Sequence, residues 1–270
     1  MSQIDRKAIE SILKCFDNVF MSSTSYNVTW GTISSLQADI VCMKDLLSKS
    51  WKYFINLTGQ EFPLQSNLNI VRILKAYNGS NDVKLSSRNF SYRWLRAGAP
   101  PMGLTPYKGR VHIIVNRDFV EYAVKNKTSA KLLKWLSPTK HPDETFFTTL
   151  NYNSLTGIPG SFNGKTMPKK LNGLPASMTR YKRWSFNRNK DYPCHGKFVR
   201  FICIPGVADL PELGKRPELF VNKLYWDFNH YVLDCLEELI YNRTVEGFLG
   251  QLKFNNSLYS NLYFVKHAIR

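Results

Sequence analysis

Two adjacent carboxylates, Asp143 and Glu144, form the most chemically suggestive group in this sequence. They belong to the segment His141-Pro142-Asp143-Glu144, which precedes an apolar run. A carboxylate held next to a substrate hydroxyl can act as a general base. Proline followed by acidic residues is also an ordinary helix start, because free N–H groups and the helix dipole favour negative charge there. The local pattern alone favours the structural interpretation and leaves catalysis as the alternative.

Other catalytic motifs are incomplete or absent from the sequence. The segment from Gly160 to Thr166 (GSFNGKT) resembles a phosphate-binding loop, but it has three residues between its glycines where the motif requires four. Neither G-x-G-x-x-G nor G-x-S-x-G occurs, and no pair of histidines has metal-ligand spacing. The sequence also lacks D-x-D, an arrangement of carboxylates that holds a divalent metal on the diphosphate in many nucleotide-sugar enzymes.

The composition favours one basic domain. The chain has 270 residues, of which 43% are hydrophobic, and a formal net charge of +17. Because no long polar linker divides it, we expect a single α/β domain. The charge indicates an anionic partner, such as a nucleic acid, a phosphorylated substrate or an acidic surface.

The densest group of basic residues surrounds two aromatic residues, Trp184 and Phe186. Its members are Arg180, Lys182, Arg183, Arg188 and Lys190. A solvated loop and a ligand-binding loop explain this group equally well, since rings between cations can stack on bases or on sugars. The sequence has no zinc-finger, basic-zipper or aromatic RNA-binding signature, so nucleic acid is not the expected partner.

The cysteines and glycosylation sequons favour the lumen of the secretory pathway. None of the five cysteines belongs to a C-x-x-C pair, and Cys194 and Cys203 flank a predicted strand closely enough to form a bridge. The N-x-S/T sequons are at Asn27, Asn56, Asn78, Asn89, Asn126, Asn242 and Asn255. No signal peptide and no run of about 18 apolar residues accompanies them.

Hydrophobic periodicity predicts alternating helices and strands, hence helices around a parallel or mixed sheet. The predicted helices are residues 5–16, 34–47, 67–76 and 228–240, a helix capped by Asn116 and a helix opened by Pro142. The predicted strands are residues 19–21, 51–57, 111–115 and 198–204. Residues 77–108 and 151–176 are predicted as loops, and residues 245–270 show no clear periodicity.

Several collinear stretches resemble one family. They are IDRKA, SLQADIVCMKDLL, WKYFINLTGQEFPLQSNLNIVRIL, HPDETFFTTL, and VRFICIPGVADLPEL followed by LFVNK. Over about residues 4–242 the chain resembles the core 2/I-branching β-1,6-N-acetylglucosaminyltransferases. The resemblance implies a GT-A-type α/β fold with a mixed sheet flanked by helices. It also implies inverting transfer of N-acetylglucosamine from UDP-N-acetylglucosamine to a sugar 6-hydroxyl, without metal or cofactor, in O-glycan synthesis. The implied partners are this donor and a glycan acceptor on a glycoprotein, with no nucleic acid, and the implied location is the luminal side of the Golgi membrane.

The same resemblance implies roles for individual residues. Glu144 matches the catalytic base, whereas Arg200 and Lys223 match cations that hold the donor diphosphate where other enzymes use a metal. The remaining implied assignments are Trp184, Phe186 and Arg93 for the acceptor, Asp5 for the nucleotide, and a disulfide between Cys194 and Cys203.

The chain departs from the family at two acceptor positions. A family acidic residue falls on Lys84 and a family lysine falls on Phe90, which leaves the identity of the acceptor open. The cysteines whose family partners would precede the first residue are Cys15, Cys42 and Cys235.

The upstream family region would carry a membrane anchor and the first strand and helix of the nucleotide-binding half. We therefore expect residues 1–244 to form an incomplete catalytic domain without that strand and helix, and residues 245–270 to form a C-terminal extension. Because such a sheet buries less core, we expect the isolated chain to be unstable or weakly active. Two alternatives stay open: a related peptide xylosyltransferase, and a catalytically inactive basic relative that binds polyanions.

Overall fold

The computed structural model describes residues 3–86, 88, 90–164, 170–171, 174–186 and 193–270. Within these residues the helices are α1 (Gln3–Leu13), α2 (Ile33–Leu46), α3 (Asn67–Tyr77), α4 (Arg117–Lys125), α5 (Lys127–Leu136), α6 (Phe146–Tyr152), α7 (Leu210–Leu213), α8 (His230–Phe248), α9 (Asn256–Ser260) and α10 (Tyr263–Lys266). The strands are β1 (Tyr53–Ile55), β2 (Glu61–Pro63), β3 (Asp82–Leu85), β4 (Gly109–Asn116), β5 (Lys170–Leu171), β6 (Leu174–Pro175), β7 (Arg180–Tyr181), β8 (Lys197–Val199), β9 (Ile202–Ile204) and β10 (Phe220–Asn222).

The first sheet has β4 in the middle, antiparallel to β1 on one side and to β3 on the other. Side chains alternate between the two faces of a strand. Ile113 and Val115 therefore pack against α2, α4, α5 and α6, whereas Ile114 packs against α3 on the opposite face. The same alternation places Arg110 and His112 on the face of Ile114. The beginning of β4 thus carries polar side chains on one face of the sheet.

The second sheet is mixed, because β10 pairs antiparallel with β2 and parallel with β7. Two hairpins, β5–β6 and β8–β9, lie outside these sheets. The chain is an α/β protein with small mixed sheets and helices, which confirms the predicted class at this level. The predicted loop at residues 151–176 contains the β5–β6 hairpin and a 3₁₀ turn at Ser154–Thr156.

Side-chain caps define where several helices begin. The N–H of Phe119 donates to Asn116 Oδ1 at 2.8 Å, which confirms Asn116 as the cap of α4. Helix α2 begins at Ile33, just before the predicted start at Ser34 or Ser35, since Thr32 supplies its cap. Helix α3 ends at Asn78, which adopts the left-handed conformation (φ 48°) that terminates helices.

The C-terminal residues fold against the rest of the chain. Helix α8 continues through residue 244 to Phe248, and Tyr259 and Phe264 from the following segments are buried in one cluster with Tyr77 of α3. The Phe264 and Tyr77 rings meet edge to face at 5.0 Å. The division of the chain at residue 244 stays a prediction. No helix within the described ranges, α8 included, is long and apolar enough to cross a membrane.

Two predictions from the N-terminal half were wrong. Residues 19–21 form no strand, because Val19 and Phe20 are each 44% exposed and lie in irregular backbone. The predicted loop at 77–108 contains β3, a strand of four residues whose polar–apolar alternation is too short to stand out. The apolar run at 19–21 is not buried, whereas β3 buries Val83 but is too short for its pattern to be distinctive.

The single strand predicted at residues 198–204 was also wrong. The segment belongs to two antiparallel strands, β8 and β9, joined at Arg200 and Phe201. Both residues have positive φ, 48° and 67°, which turns the chain back on itself. Glycine and asparagine are the residues that most often adopt such values, and neither occurs at this turn. The sequence therefore did not indicate that the chain reverses here.

Candidate active site

Glu144 lies at the end of a 3₁₀ turn, Pro142–Glu144, directly before α6. The N–H of His141, which precedes the turn, donates to the carbonyl of Gly31 at 2.9 Å. Every residue of α6 is buried, so the turn is anchored on both sides. His141 makes no side-chain cap, and Glu144 is therefore not part of a capping box.

The two adjacent carboxylates have different environments. Asp143 accepts from Ser35 Oγ at 3.1 Å and from the N–H of Glu144 at 3.0 Å, and burial raises its pKa. The Glu144 side chain is 26% exposed, and its Oε2 lies 2.6 Å from Arg93 Nη1 and 3.7 Å from Lys108 Nζ. Among the described residues, Glu144 Oε1 has no hydrogen-bond partner. Glu144 thus has a fixed orientation and one oxygen able to accept a proton.

Phe90 places its ring beside both cations that contact Glu144. The ring centre lies 5.1 Å from the guanidinium carbon of Arg93 and 4.9 Å from Lys108 Nζ. Such cation–π contacts stabilise charged groups without adding charge. Phe90, the predicted departure from a family lysine, therefore supplies a neutral aromatic face at this point.

Four lysine and arginine side chains gather around the beginning of β4. We call this group the β4 basic cluster, and its members are Lys84, Lys108, Arg110 and Lys182. Burial, together with the charge of Arg110, lowers the pKa of Lys84 to about 8 and that of Lys182 to about 7. Burial also lowers the pKa values of Lys108 and Arg110. All four residues are half-buried, so each keeps some exposed surface.

Glu61 joins the two sheets beneath this cluster. Its carboxylate lies 2.9 Å from Arg180 Nε and 2.7 Å from His112 Nε2, and it accepts from Asn222 Nδ2 at 3.0 Å. On the other side of its ring, His112 Nδ1 lies 3.4 Å from Lys182 Nζ. Burial and the neighbouring cations lower the pKa of His112 despite the nearby carboxylate, so the ring is neutral at pH 7. Its Nδ1 can then accept a hydrogen bond from the Lys182 ammonium group.

The aromatic pair predicted for the acceptor is stacked. The rings of Trp184 and Phe186 lie 5.3 Å apart with an interplanar angle of 26°, and Phe186 is 60% exposed. Trp184 forms an isolated bridge to Ile202 of β9, which ties the pair to the β8–β9 hairpin. A stacked pair with an exposed ring can cover the apolar C–H face of a sugar. Arg188 and Lys190 lie outside the described residues.

Arg200 and Lys223, the cations predicted for the diphosphate, come from different elements. Arg200 lies in the β8–β9 turn, with its guanidinium carbon 5.8 Å from the centre of the Trp30 ring, which in turn meets the His141 ring at 4.6 Å. Lys223 follows β10, and its charge contributes to the lowered pKa of Lys182. Arg200 is thus linked to the Glu144 turn through two rings, and Lys223 neighbours the β4 basic cluster. Asp5 belongs to α1, and its side chain lies outside the described part of the chain.

Cys194 and Cys203 form a disulfide with a Cα–Cα distance of 5.9 Å, as the resemblance implies. Cys15, Cys42 and Cys235 are free within the described residues. One group of potential metal ligands lies close together in the described part of the chain, namely Cys194, Cys203 and Asp209. Because its two sulfur atoms are bonded to each other, this group offers no thiolate to a metal.

Residues 2–213 match the family model described as Core-2/I-Branching enzyme. The chain belongs to the Core-2/I-branching enzyme family. Proteins of this family have a GT-A-like fold, in agreement with the α/β architecture described above.

Curated relatives of this Core-2/I-branching chain are named as acetylglucosaminyltransferases. It is 32% identical over 267 residues to the human beta-1,3-galactosyl-O-glycosyl-glycoprotein beta-1,6-N-acetylglucosaminyltransferase 3, covering 90% of this chain and 60% of the relative. It is 34% identical over 262 residues to the mouse N-acetyllactosaminide beta-1,6-N-acetylglucosaminyl-transferase, covering 88% of this chain and 63% of the relative. The chain therefore spans about 60% of the length of these relatives.

Several charged residues of the site in this Core-2/I-branching chain were not predicted from the sequence. Lys108 and Arg110 were not singled out, and neither were Glu61 and His112 beneath them. Residues 110 and 112 fall on one face of β4, but the predicted strand began only at residue 111, so the sequence contained no signal for this set as a whole. Their proximity to Glu144 depends on tertiary structure, which local periodicity does not report.

Proposed function

We propose that this chain carries the catalytic site of an inverting, metal-independent β-1,6-N-acetylglucosaminyltransferase. The observation that carries the proposal is the Glu144 carboxylate, which Arg93 holds at 2.6 Å while its second oxygen has no partner among the described residues. A general base must lie within hydrogen-bond reach of the proton that it removes. The names of the relatives support the choice of sugar and linkage.

In the proposed reaction, Glu144 Oε1 accepts the proton of the acceptor 6-hydroxyl. The hydroxyl oxygen attacks the anomeric carbon of UDP-N-acetylglucosamine from the side opposite UDP. The bond from that carbon to the diphosphate oxygen breaks, and its electron pair leaves with UDP. A single displacement of this kind inverts the anomeric centre and gives a β-linked product from an α-linked donor.

Fixed cations would stabilise the negative charge that develops on UDP. We assign this role to Arg200 and Lys223, since preorganised positive groups can replace a metal ion in stabilising a leaving diphosphate. Trp184 and Phe186 would cover the acceptor sugar, and Asp5 would contact the nucleotide. The disulfide and the sequons support a place of action in the Golgi lumen, with a glycoprotein glycan as the acceptor.

A comparison of donors tests the proposed function. Purified protein is incubated with UDP-N-acetylglucosamine or UDP-xylose, an acceptor glycan and excess EDTA, and UDP release and product linkage are measured. The proposal predicts β-1,6-linked N-acetylglucosamine with EDTA present. Transfer of xylose instead would favour the xylosyltransferase alternative. Absence of transfer, with steeply salt-dependent binding to nucleic acid, would favour the polyanion-binding alternative suggested by the net charge of +17.

A Lys223→Met variant is expected to bind UDP about 10-fold more weakly, because one charge-assisted contact to the diphosphate is lost. Isothermal titration with UDP measures the effect directly. Lys125→Met removes the same charge from a lysine on α4 whose side chain is 64% exposed, and it serves as the matched control. Equal UDP affinity in Lys223→Met and the control would contradict the assignment of Lys223.

A further inference from the structure

Three carboxylates around the β4 basic cluster are already paired with other cations. Glu218 lies 2.6 Å from Arg216, Glu61 lies 2.9 Å from Arg180, and Glu144 lies 2.6 Å from Arg93. A fourth, Asp82, is buried and accepts from the Tyr77 hydroxyl and the N–H of Met178, although its charge also acts on Lys84 and Arg110. Among the described residues, three members of the cluster have no carboxylate oxygen within 4.0 Å, and these are Lys84, Arg110 and Lys182. The described part of the site therefore contains several cations without a carboxylate within ion-pair distance.

This arrangement is unfavourable for the folded protein on its own. Burial and mutual repulsion both disfavour the charged forms, as the lowered pKa values of Lys84 and Lys182 indicate. A local arrangement that costs stability is characteristic of functional sites, where a ligand supplies the missing interaction. An anionic group would satisfy several of these cations at once.

The cluster extends away from the proposed base. Its member Lys108 lies 3.7 Å from Glu144, and the charge of Glu144 also acts on Arg110. Because the acceptor hydroxyl must contact Glu144, neighbouring substituents of the same saccharide can reach the cluster. Lys182 extends the cluster toward Lys223, which we assign to the donor.

We propose that the β4 basic cluster binds an acidic group of the acceptor saccharide, a carboxylate or a sulfate ester, and so selects anionic glycans. This inference rests on the proposed transferase function. Arg110 can hold two oxygens of such a group in a bidentate contact, while Lys84 and Lys182 act as point charges. Lys84 stands where the resemblance places an acidic residue, and this change of sign agrees with an anionic acceptor.

A saccharide suits the cluster better than a nucleic acid does. A nucleic-acid backbone needs a track of exposed cations along the protein surface. Here the cations are partly buried around one strand end and directly adjoin a carboxylate, which would repel a phosphate backbone. One acidic substituent on a sugar avoids this repulsion because it enters the cluster while its hydroxyl faces Glu144.

The test uses three acceptors built on one β1,3-galactosyl-N-acetylgalactosamine glycoside. One is neutral, one carries a sulfate on the galactose 3-hydroxyl, and one carries sialic acid there. We expect the acidic acceptors to have KM values about 10-fold or more below that of the neutral acceptor. The acidic acceptor with the lower KM shows whether sulfate or carboxylate is the preferred group.

Variants separate the acceptor subsite from the donor site. Arg110→Met should raise KM for the acidic acceptors by about 10- to 100-fold, with little change for the neutral acceptor or for UDP-N-acetylglucosamine. Its melting temperature should equal or exceed that of the parent, because the variant removes repulsion. Lys84→Met should also raise KM for the acidic acceptors. It serves as the test of the cluster if Arg110→Met fails to fold. Lys125→Met is again the control for a lost surface charge.

Several outcomes would overturn the inference. Equal KM values for all three acceptors in the parent would do so, and so would an Arg110→Met effect confined to the donor KM. Salt-dependent binding of a DNA oligonucleotide that Arg110→Met abolishes, without any preference among acceptors, would assign the cluster to nucleic acid instead. Failure to transfer to any acceptor is a different result, since it would count against the proposed function itself.

Discussion

A Glu144→Gln variant is expected to lose about 10²- to 10⁴-fold in kcat, the range that general base catalysis contributes. Glutamine has nearly the same shape, and its amide oxygen can still accept from Arg93, which contacts Glu144 at 2.6 Å. It cannot take up the proton of the acceptor hydroxyl. Affinity for UDP should therefore be unchanged while turnover falls, and the two are measured by isothermal titration and by UDP release.

Asp143→Asn is the matched control for this experiment. It removes the adjacent carboxylate, and burial raises the pKa of that group. Asparagine can still accept from the N–H of Glu144 and can donate to Ser35 Oγ, the two partners of Asp143. We expect kcat to change by less than about 10-fold, since no step of the reaction is assigned to Asp143. Equal losses in both variants would indicate that the turn, rather than the Glu144 carboxylate, is what the reaction requires.

Parts of the fold were predictable where a local signal coincides with a tertiary contact. The side chains of strand β4 alternate between two hydrophobic clusters, and Asn116 caps α4 as predicted. Both features depend only on residues that are close in sequence, so they can be predicted from it. Strand β3 escaped prediction because it is only four residues long and buries a charged residue, Asp82, which normally indicates an exposed position. The β8–β9 hairpin escaped because its turn contains no residue that favours positive φ.

The candidate site was only partly predictable, for a related reason. Family resemblance identifies Glu144 and Arg93 as separate residues, but their contact joins positions 51 apart in the sequence. The residues next to Lys108 and Arg110 in the sequence give no indication that the Glu144 carboxylate, which belongs to another element, lies nearby. Lys182 was recognised only as one of several basic residues in a loop. Charge density can be read from a sequence, whereas the pairing that leaves a cation without a counter-ion requires the fold.

Glu61→Gln is expected to lower the free energy of unfolding by about 3–5 kcal/mol, the usual effect of removing one member of a buried ion pair. The side chains of Glu61 and Arg180 are 1% and 0% exposed, and their contact is 2.9 Å. Without the carboxylate, the Arg180 guanidinium stays buried and loses the carboxylate that contacts it. Urea denaturation measures the change, with an unchanged m-value showing that the midpoint shift reports stability. Glu121→Gln is the control, because its contact with Arg117 at 3.2 Å is solvent-exposed and such pairs contribute about 0–1 kcal/mol.

The difference in free energy of unfolding between Glu61→Gln and the parent should become smaller in acid. Burial alone would raise the pKa of Glu61, but its contact with His112 and the charge of Arg180 lower that pKa below the ordinary value of 4.5. A carboxyl whose pKa is depressed on folding stabilises the protein above its unfolded pKa, and this stabilisation is lost as the pH falls. The difference should therefore be constant from about pH 8 to 5. Because Glu61 raises the pKa of His112, that ring would titrate differently in the two proteins, so the acid range is compared with both proteins also carrying His112→Gln. In that background the difference should shrink below about pH 4.5. A difference that stays constant down to pH 3 would show that Glu61 stabilises the fold by its shape and not by its charge.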